Sequence, residues 1–233
     1  MRPRAPLEAA DLGVRLCQSV ARQVYTCYGV VALPVIALCL ASIELASWLP
    51  ALALWWAKPW MDRTVLFVLS RAAFGQGTTL GDLWQAQRRV WWSQLLSSLT
   101  LRRLSPWRSF TQPVHQLEGL PLLKIRQRVL QIRRGRTRPA FIMTSAFGTA
   151  ETLLTLAMIS LIFWFTPGEV SFSTVFAGKP SQLLQLSSSI AYASVVLFLE
   201  PFYVAAGFAM YLNRRAQLEA WDVEQELRRA FAE

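Results

Sequence analysis

The sequence predicts an all-α integral membrane protein. Two transmembrane helices are expected at about 140–165 and 184–212, with an amino-terminal helical hairpin or re-entrant pair at about 24–70. Amphipathic cytosolic or interfacial helices fill the rest. Three observations carry this reading. Ala140 to Phe165 is a run of 26 residues whose only charge is Glu151, and Leu183 to Leu212 is a run of 30 whose only charge is Glu200. Each exceeds the roughly 20 residues that cross a bilayer. The 233-residue chain is also 54% hydrophobic with 10 Trp and 13 Phe, which is too apolar for an average soluble domain.

Residues 1–75 form the first block. Leu12, Leu16, Val20 and Val24 recur every four positions, which predicts an amphipathic helix leading into the bilayer. Val24 to Ile43 is 20 residues without a charge and is long enough to span, with Pro34 as a candidate kink. After Glu44, Pro50 suits the first turn of a second helix. That helix either continues to about residue 70, carrying Lys58, Asp62 and Arg63 inside the protein, or stops at Lys58 as a re-entrant element with 59–74 along the interface. Lys58 and Asp62 are four apart and could pair on one helical face.

Residues 76–139 form a basic cytosolic or interfacial block. Thr79 and Asp82 have capping-box spacing, and Leu80, Leu83, Trp84, Val90, Trp91, Leu95 and Leu99 make one apolar helical face. Ser105-Pro106 and Gln112-Pro113 are expected to break helical structure, and a further helix is expected from about Pro121 to Arg134. Residues 140–212 form a transmembrane hairpin around the loop 166–182. Residues 213–233 are expected as a separate charged cytosolic helix.

Orientation follows from the lysines and arginines. The 76–139 block has twelve, residues 1–23 and the tail have four each, and the 166–182 loop has one, Lys179. The positive-inside rule then puts both termini in the cytoplasm and the 166–182 loop outside. An even number of crossings before residue 76 follows, with a single tilted span and an external amino terminus as the alternative. Glu8 and Asp11 in a long charged lead-in argue against a cleaved signal peptide. Leu38 before Cys39 argues against lipidation there. Cys17, Cys27 and Cys39 lack metal spacing and are expected to be apolar thiols without disulfides.

Glu151 and Glu200 are the leading candidate site residues. Counted from the cytoplasmic ends of antiparallel neighbours, they fall at a similar depth and could approach one another. A carboxylate at mid-bilayer costs on the order of 2.5–3.5 kcal/mol, so a partner is required. Lys58, Asp62 and Arg63 are the candidate partners. The glutamates read either as a structural pair or as a proton, cation or substrate site. Four-residue spacings of small residues (Ser145, Thr149, and Ala205, Ala209) permit close helix approach. Lys124, Arg126, Arg128, Arg133, Arg134, Arg136 and Arg138 form an acid-free juxtamembrane run suited to anionic headgroups. His115 and Glu118 alone do not make a metal site, and no catalytic motif or cofactor fingerprint is visible. No nucleic-acid recognition motif is visible either.

Residues 200–215 (EPFYVAAGFAMYLNRR), continuing to Glu219, Trp221, Asp222 and Glu224, resemble the closing signature of a group of uncharacterised bacterial multi-pass inner-membrane proteins. Residues 56–63 (WAKPWMDR) with 69–75 (LSRAAFG) are similar to a second motif of that group. The resemblance implies a bacterial envelope setting, beside MoxR-type ATPase and transglutaminase-like membrane proteins, and no activity. The function expected is a non-enzymatic inner-membrane accessory or scaffold subunit with membrane-protein partners. The alternative is a small transporter or channel component using Glu151 and Glu200.

Overall fold

In the computed structural model, residues 4–92, 105–165 and 182–230 are described, and all of their regular structure is helical. Eight α-helices follow in order: α1 (Pro6–Ser19), α2 (Ala21–Ala41), α3 (Leu49–Ala72), α4 (Leu80–Gln85), α5 (Arg108–Leu117), α6 (Leu122–Arg133), α7 (Thr137–Phe165) and α8 (Gln182–Ala230). Three segments are long and apolar enough to cross a membrane: Ala21–Glu44, Thr137–Ile162 and Leu184–Glu219, with mean hydropathies of 2.1, 1.5 and 1.8. The expected loop at 166–182 lies outside the described residues, except for Gln182 at the start of α8.

The central helix is α8. It continues for 49 residues through Pro201 and past Leu212, so the expected separate helix at 213–233 is instead the extension of the last apolar helix. Residues 213–219 (Asn-Arg-Arg-Ala-Gln-Leu-Glu) contain neither Gly nor Pro, and nothing there stops helical hydrogen bonding. Helices α1, α2, α3, α5 and α7 all pack on α8.

The first two helices run antiparallel to α8. The Asn213 amide donates to the Arg4 carbonyl at 3.0 Å, Gly13 meets Ala205 and Ala209, and the Tyr25 hydroxyl donates to the Phe198 carbonyl at 2.7 Å. The buried face of α1 is Ala9, Ala10, Gly13 and Cys17, whereas Leu12 is 37% exposed. This corrects the expected Leu12–Leu16–Val20–Val24 face. The contact is a close approach of small residues, in which a Cβ at Gly13 would overlap the Ala205 carbonyl. Ala205 and Ala209 therefore serve α1 rather than the neighbouring span.

After a 3-10 turn at Ser42–Glu44, α3 returns along α2 as an unbroken helix through Pro59. The reading that stops this helix at Lys58 does not hold. Lys58, Asp62 and Arg63 are all buried within α3. The Thr79–Asp82 capping box forms as expected, with Asp82 N–H donating to the Thr79 hydroxyl at 3.2 Å and Thr79 N–H to the Asp82 carboxylate at 3.0 Å. The long apolar helix expected after it does not form: α4 ends at Gln85 and a π-helical turn covers Arg88–Trp92. Trp84 is 66% exposed, so it is not on a common buried face with Leu83 and Val90. Leu95 and Leu99 lie outside the described residues.

Helix α5 passes through Pro113, where a break was expected, and is buried on most of its surface. Ser109 fits against Gly207, where a Cβ would collide with it. In contrast, no residue in the most apolar stretch of α7 is buried within the chain, and Leu153, Leu156 and Leu161 are all more than half exposed.

Candidate functional site

Four helices deliver charged side chains to one buried point. Lys58 comes from the middle of α3, Glu151 from α7, Glu200 from α8 and Arg108 from the first turn of α5. The Lys58 ammonium lies 2.6 Å from Glu151 Oε2 and 2.7 Å from Glu200 Oε2. Glu200 uses its other oxygen, Oε1, to accept from Arg108 Nη2 at 2.6 Å, and the same Nη2 is 3.2 Å from Asp62 Oδ2. The Arg108 guanidinium also stands over the Tyr203 ring, 5.3 Å from its centroid.

The two glutamates thus meet through one cation rather than touching directly. Lys58 and Asp62 do not pair with each other as their spacing suggested. Lys58 turns to the glutamates, and Asp62 turns to Arg108. A helix surface brings i and i+4 together, but an ion in an apolar interior goes to the partner that leaves the fewest charges uncompensated. Arg63 is buried too, and its backbone carbonyl accepts from the Gln116 amide at 2.8 Å. Its side chain lines a separate cavity described below.

Charge bookkeeping explains why the cluster survives burial. Lys58, Arg63 and Arg108 oppose Asp62, Glu151 and Glu200, three charges of each sign, and all but Glu151 are among the buried residues. Glu151 is the most accessible member, with a side chain 21% exposed against 2% for Glu200. A buried ion costs several kcal/mol to desolvate, and short contacts to opposite charges offset that cost. The set is therefore cross-bonding between helices, with its two glutamates already satisfied.

Arg108 was the member that sequence reasoning missed. It stands in a block with eleven other basic residues, and only the placement of α5 against α8 distinguishes it. The usable signal was local: Arg108 to Gln116 alternates apolar groups with Ser, Thr and Gln and lacks the charged face of a surface helix. Glu118 was also undervalued. It accepts from Arg128 Nε at 3.0 Å and from the Tyr211 hydroxyl at 2.7 Å, linking α6 to α8.

The seven-residue basic run is not one uniform surface. Lys124, Arg126, Arg134 and Arg138 are exposed. Arg128 is held by Glu118, Arg136 donates to Gln217 at 3.0 Å, and Arg133 stacks 3.8 Å over the Trp107 ring. Among the described residues no group of three His, Cys, Asp or Glu side chains is placed to hold a metal ion. Cys17 and Cys27 are buried thiols, and burial pushes Cys17 up to about 11. No family model, curated protein or solved structure matches the chain.

Proposed function

We propose that this protein is a non-enzymatic accessory or scaffold subunit of a bacterial envelope complex in the cytoplasmic membrane. In this reading α2 and α3 cross as a hairpin and α7 and α8 cross once each. Both termini are cytoplasmic and the 166–182 loop is external. Support for this orientation comes from the gathering of three basic segments at one end of the bundle. The Arg4 carbonyl meets Asn213, the Arg134 carbonyl accepts from Arg214, and Arg136 donates to Gln217.

The observation that carries the scaffold reading is the double use of Lys58 by Glu151 and Glu200. A transport site needs carboxylates that change partners at a water-reachable surface. Here Glu200 is 2% exposed and is held on both oxygens. The α7 face, with Phe141, Leu153, Leu156 and Leu161 exposed, supplies an apolar strip for lipid or a second membrane protein.

The test combines purification from native membranes with a flux assay. The scaffold reading predicts that specific membrane proteins co-purify with the wild-type chain and are lost from Glu200→Gln, whose bundle is weakened. It also predicts no proton or cation flux from proteoliposomes of the wild type. A flux that Glu151→Gln and Glu200→Gln abolish in folded protein would establish the transporter instead.

A further inference from the structure

A cavity of about 140 Å³ lies between α3, α5 and α6, on the side of Arg108 away from the scaffold argument. Its lining includes Arg63, Arg108, Arg133, His115, Gln112 and Gln116, and no carboxylate is among the lining residues. We propose that this cavity binds a phosphate group that also carries a hydroxyl, either as a free phosphate or as the headgroup of an anionic phospholipid.

The donors are in place and unspent. Arg108 is 8% exposed; its Nη2 is taken by Glu200 and Asp62, while its Nη1 is buried with no hydrogen-bond partner. Arg133 Nε is likewise buried without a partner, and the ring of Trp107 holds that guanidinium flat. A buried charged donor left unmade costs more than a neutral one, and planar guanidiniums suit phosphate oxygens.

The acceptors narrow the ligand. Gln112 Nε2 reaches the Pro59 carbonyl at 3.5 Å and Gln116 Nε2 the Arg63 carbonyl at 2.8 Å. Those contacts turn both Oε1 atoms elsewhere, where they are buried and without partners. A carboxylate ligand has no proton to give them. A protonated phosphate oxygen or a glycerol hydroxyl does. Size agrees: the volume corresponds to about four or five waters and is well below the roughly 300 Å³ at which whole-cofactor pockets begin. The exposed cations Lys124 and Arg126 on α6 lie on an adjoining wall of this region and would draw anions toward it.

The experiment measures the thermal unfolding midpoint of the full chain in phosphatidylcholine nanodiscs. The probes are inorganic phosphate, glycerol phosphate, and nanodiscs containing phosphatidylglycerol. A saturable rise of about 5 °C or more at a hundredfold excess over Kd is expected from at least one probe. The rise should shrink at least tenfold in apparent affinity in Arg133→Gln and Gln112→Leu and persist in Arg138→Gln, an exposed cation outside the cavity. A response to the soluble probes identifies a free phosphate ligand, and a response confined to phosphatidylglycerol identifies a lipid headgroup. No response to any probe overturns the proposal, as does an equal loss in Arg138→Gln or a full response in either cavity variant. If Arg133→Gln does not fold, Gln112→Leu decides alone.

Discussion

Lys58 of α3 and Glu200 of α8 lie 2.7 Å apart in the interior of the bundle, and each is shared: Lys58 also holds Glu151, and Glu200 also holds Arg108. Removing the cation leaves two carboxylates facing one another without compensation. Lys58→Met is therefore expected to destabilise the protein by about 3–5 kcal/mol, read as denaturant unfolding in detergent micelles. A loss below about 1 kcal/mol would mean that the network is ornamental to the fold.

The two glutamates are not equivalent. Glu200 is 2% exposed and ion-paired through both oxygens, while Glu151 is 21% exposed and makes its pair through one. Glu200→Gln should cost several kcal/mol. Glu151→Gln should cost about 1 kcal/mol, since a more accessible pair is worth less. The same unfolding measurement ranks them, and the reverse order would contradict the burial argument.

Gly13 allows α1 to lie against Ala205 and Ala209, with no room for a side chain at that crossing. Gly13→Leu should separate α1 from α8 and cost at least the 1–3 kcal/mol typical of overpacking. Protease sensitivity within residues 6–19 reports the separation directly. Gly29, which has nothing near its missing Cβ, is the control, and Gly29→Ala should behave as wild type.

Tyr28 is fully buried, yet its hydroxyl has no hydrogen-bond partner. A buried donor left unmade carries a cost of about 1–3 kcal/mol. Tyr28→Phe should be neutral or stabilising by up to about that amount in thermal unfolding. Marked destabilisation would show that the hydroxyl has a partner.

At the α4 cap, the Thr79 N–H donates to Asp82 and holds its carboxyl below the ordinary value. A carboxylate depressed in the folded state contributes stability above its unfolded pKa of about 3.9, and loses it as pH falls through the lower folded value. Asp82→Ala should reduce amide protection across Leu80–Gln85 at neutral pH and make little difference in strong acid. Equal protection in the two proteins at neutral pH would contradict the cap.

How far the sequence foretold this arrangement depended on contrast. A lone acid in a long apolar run stands out, so Glu151 and Glu200 were legible, and antiparallel counting put them at a common level. Lys58 stood out for the same reason. Arg108 did not, because a cation among twelve in one block gives no contrast, and its meaning comes from tertiary placement. Residues whose role is to be small were half legible. Ala205 and Ala209 were marked as a close-approach surface, but their partner, Gly13, belongs to a helix whose leucines drew attention to the other face. The helix boundaries missed at Lys58, Pro113 and Leu212 share a cause. Proline and polarity shift local preference, while the packing of α3, α5 and α8 against one another overrides it.

The central claim is that the Lys58–Glu200 contact is an energetic bond holding α3 to α8. A double-mutant cycle on unfolding free energy tests it, using Lys58→Met, Glu200→Gln and the two together. The account predicts a coupling of at least about 2 kcal/mol, with the double variant more stable than the two single losses would sum to. Losses that add to within about 0.5 kcal/mol would show that the two side chains do not interact and would contradict it.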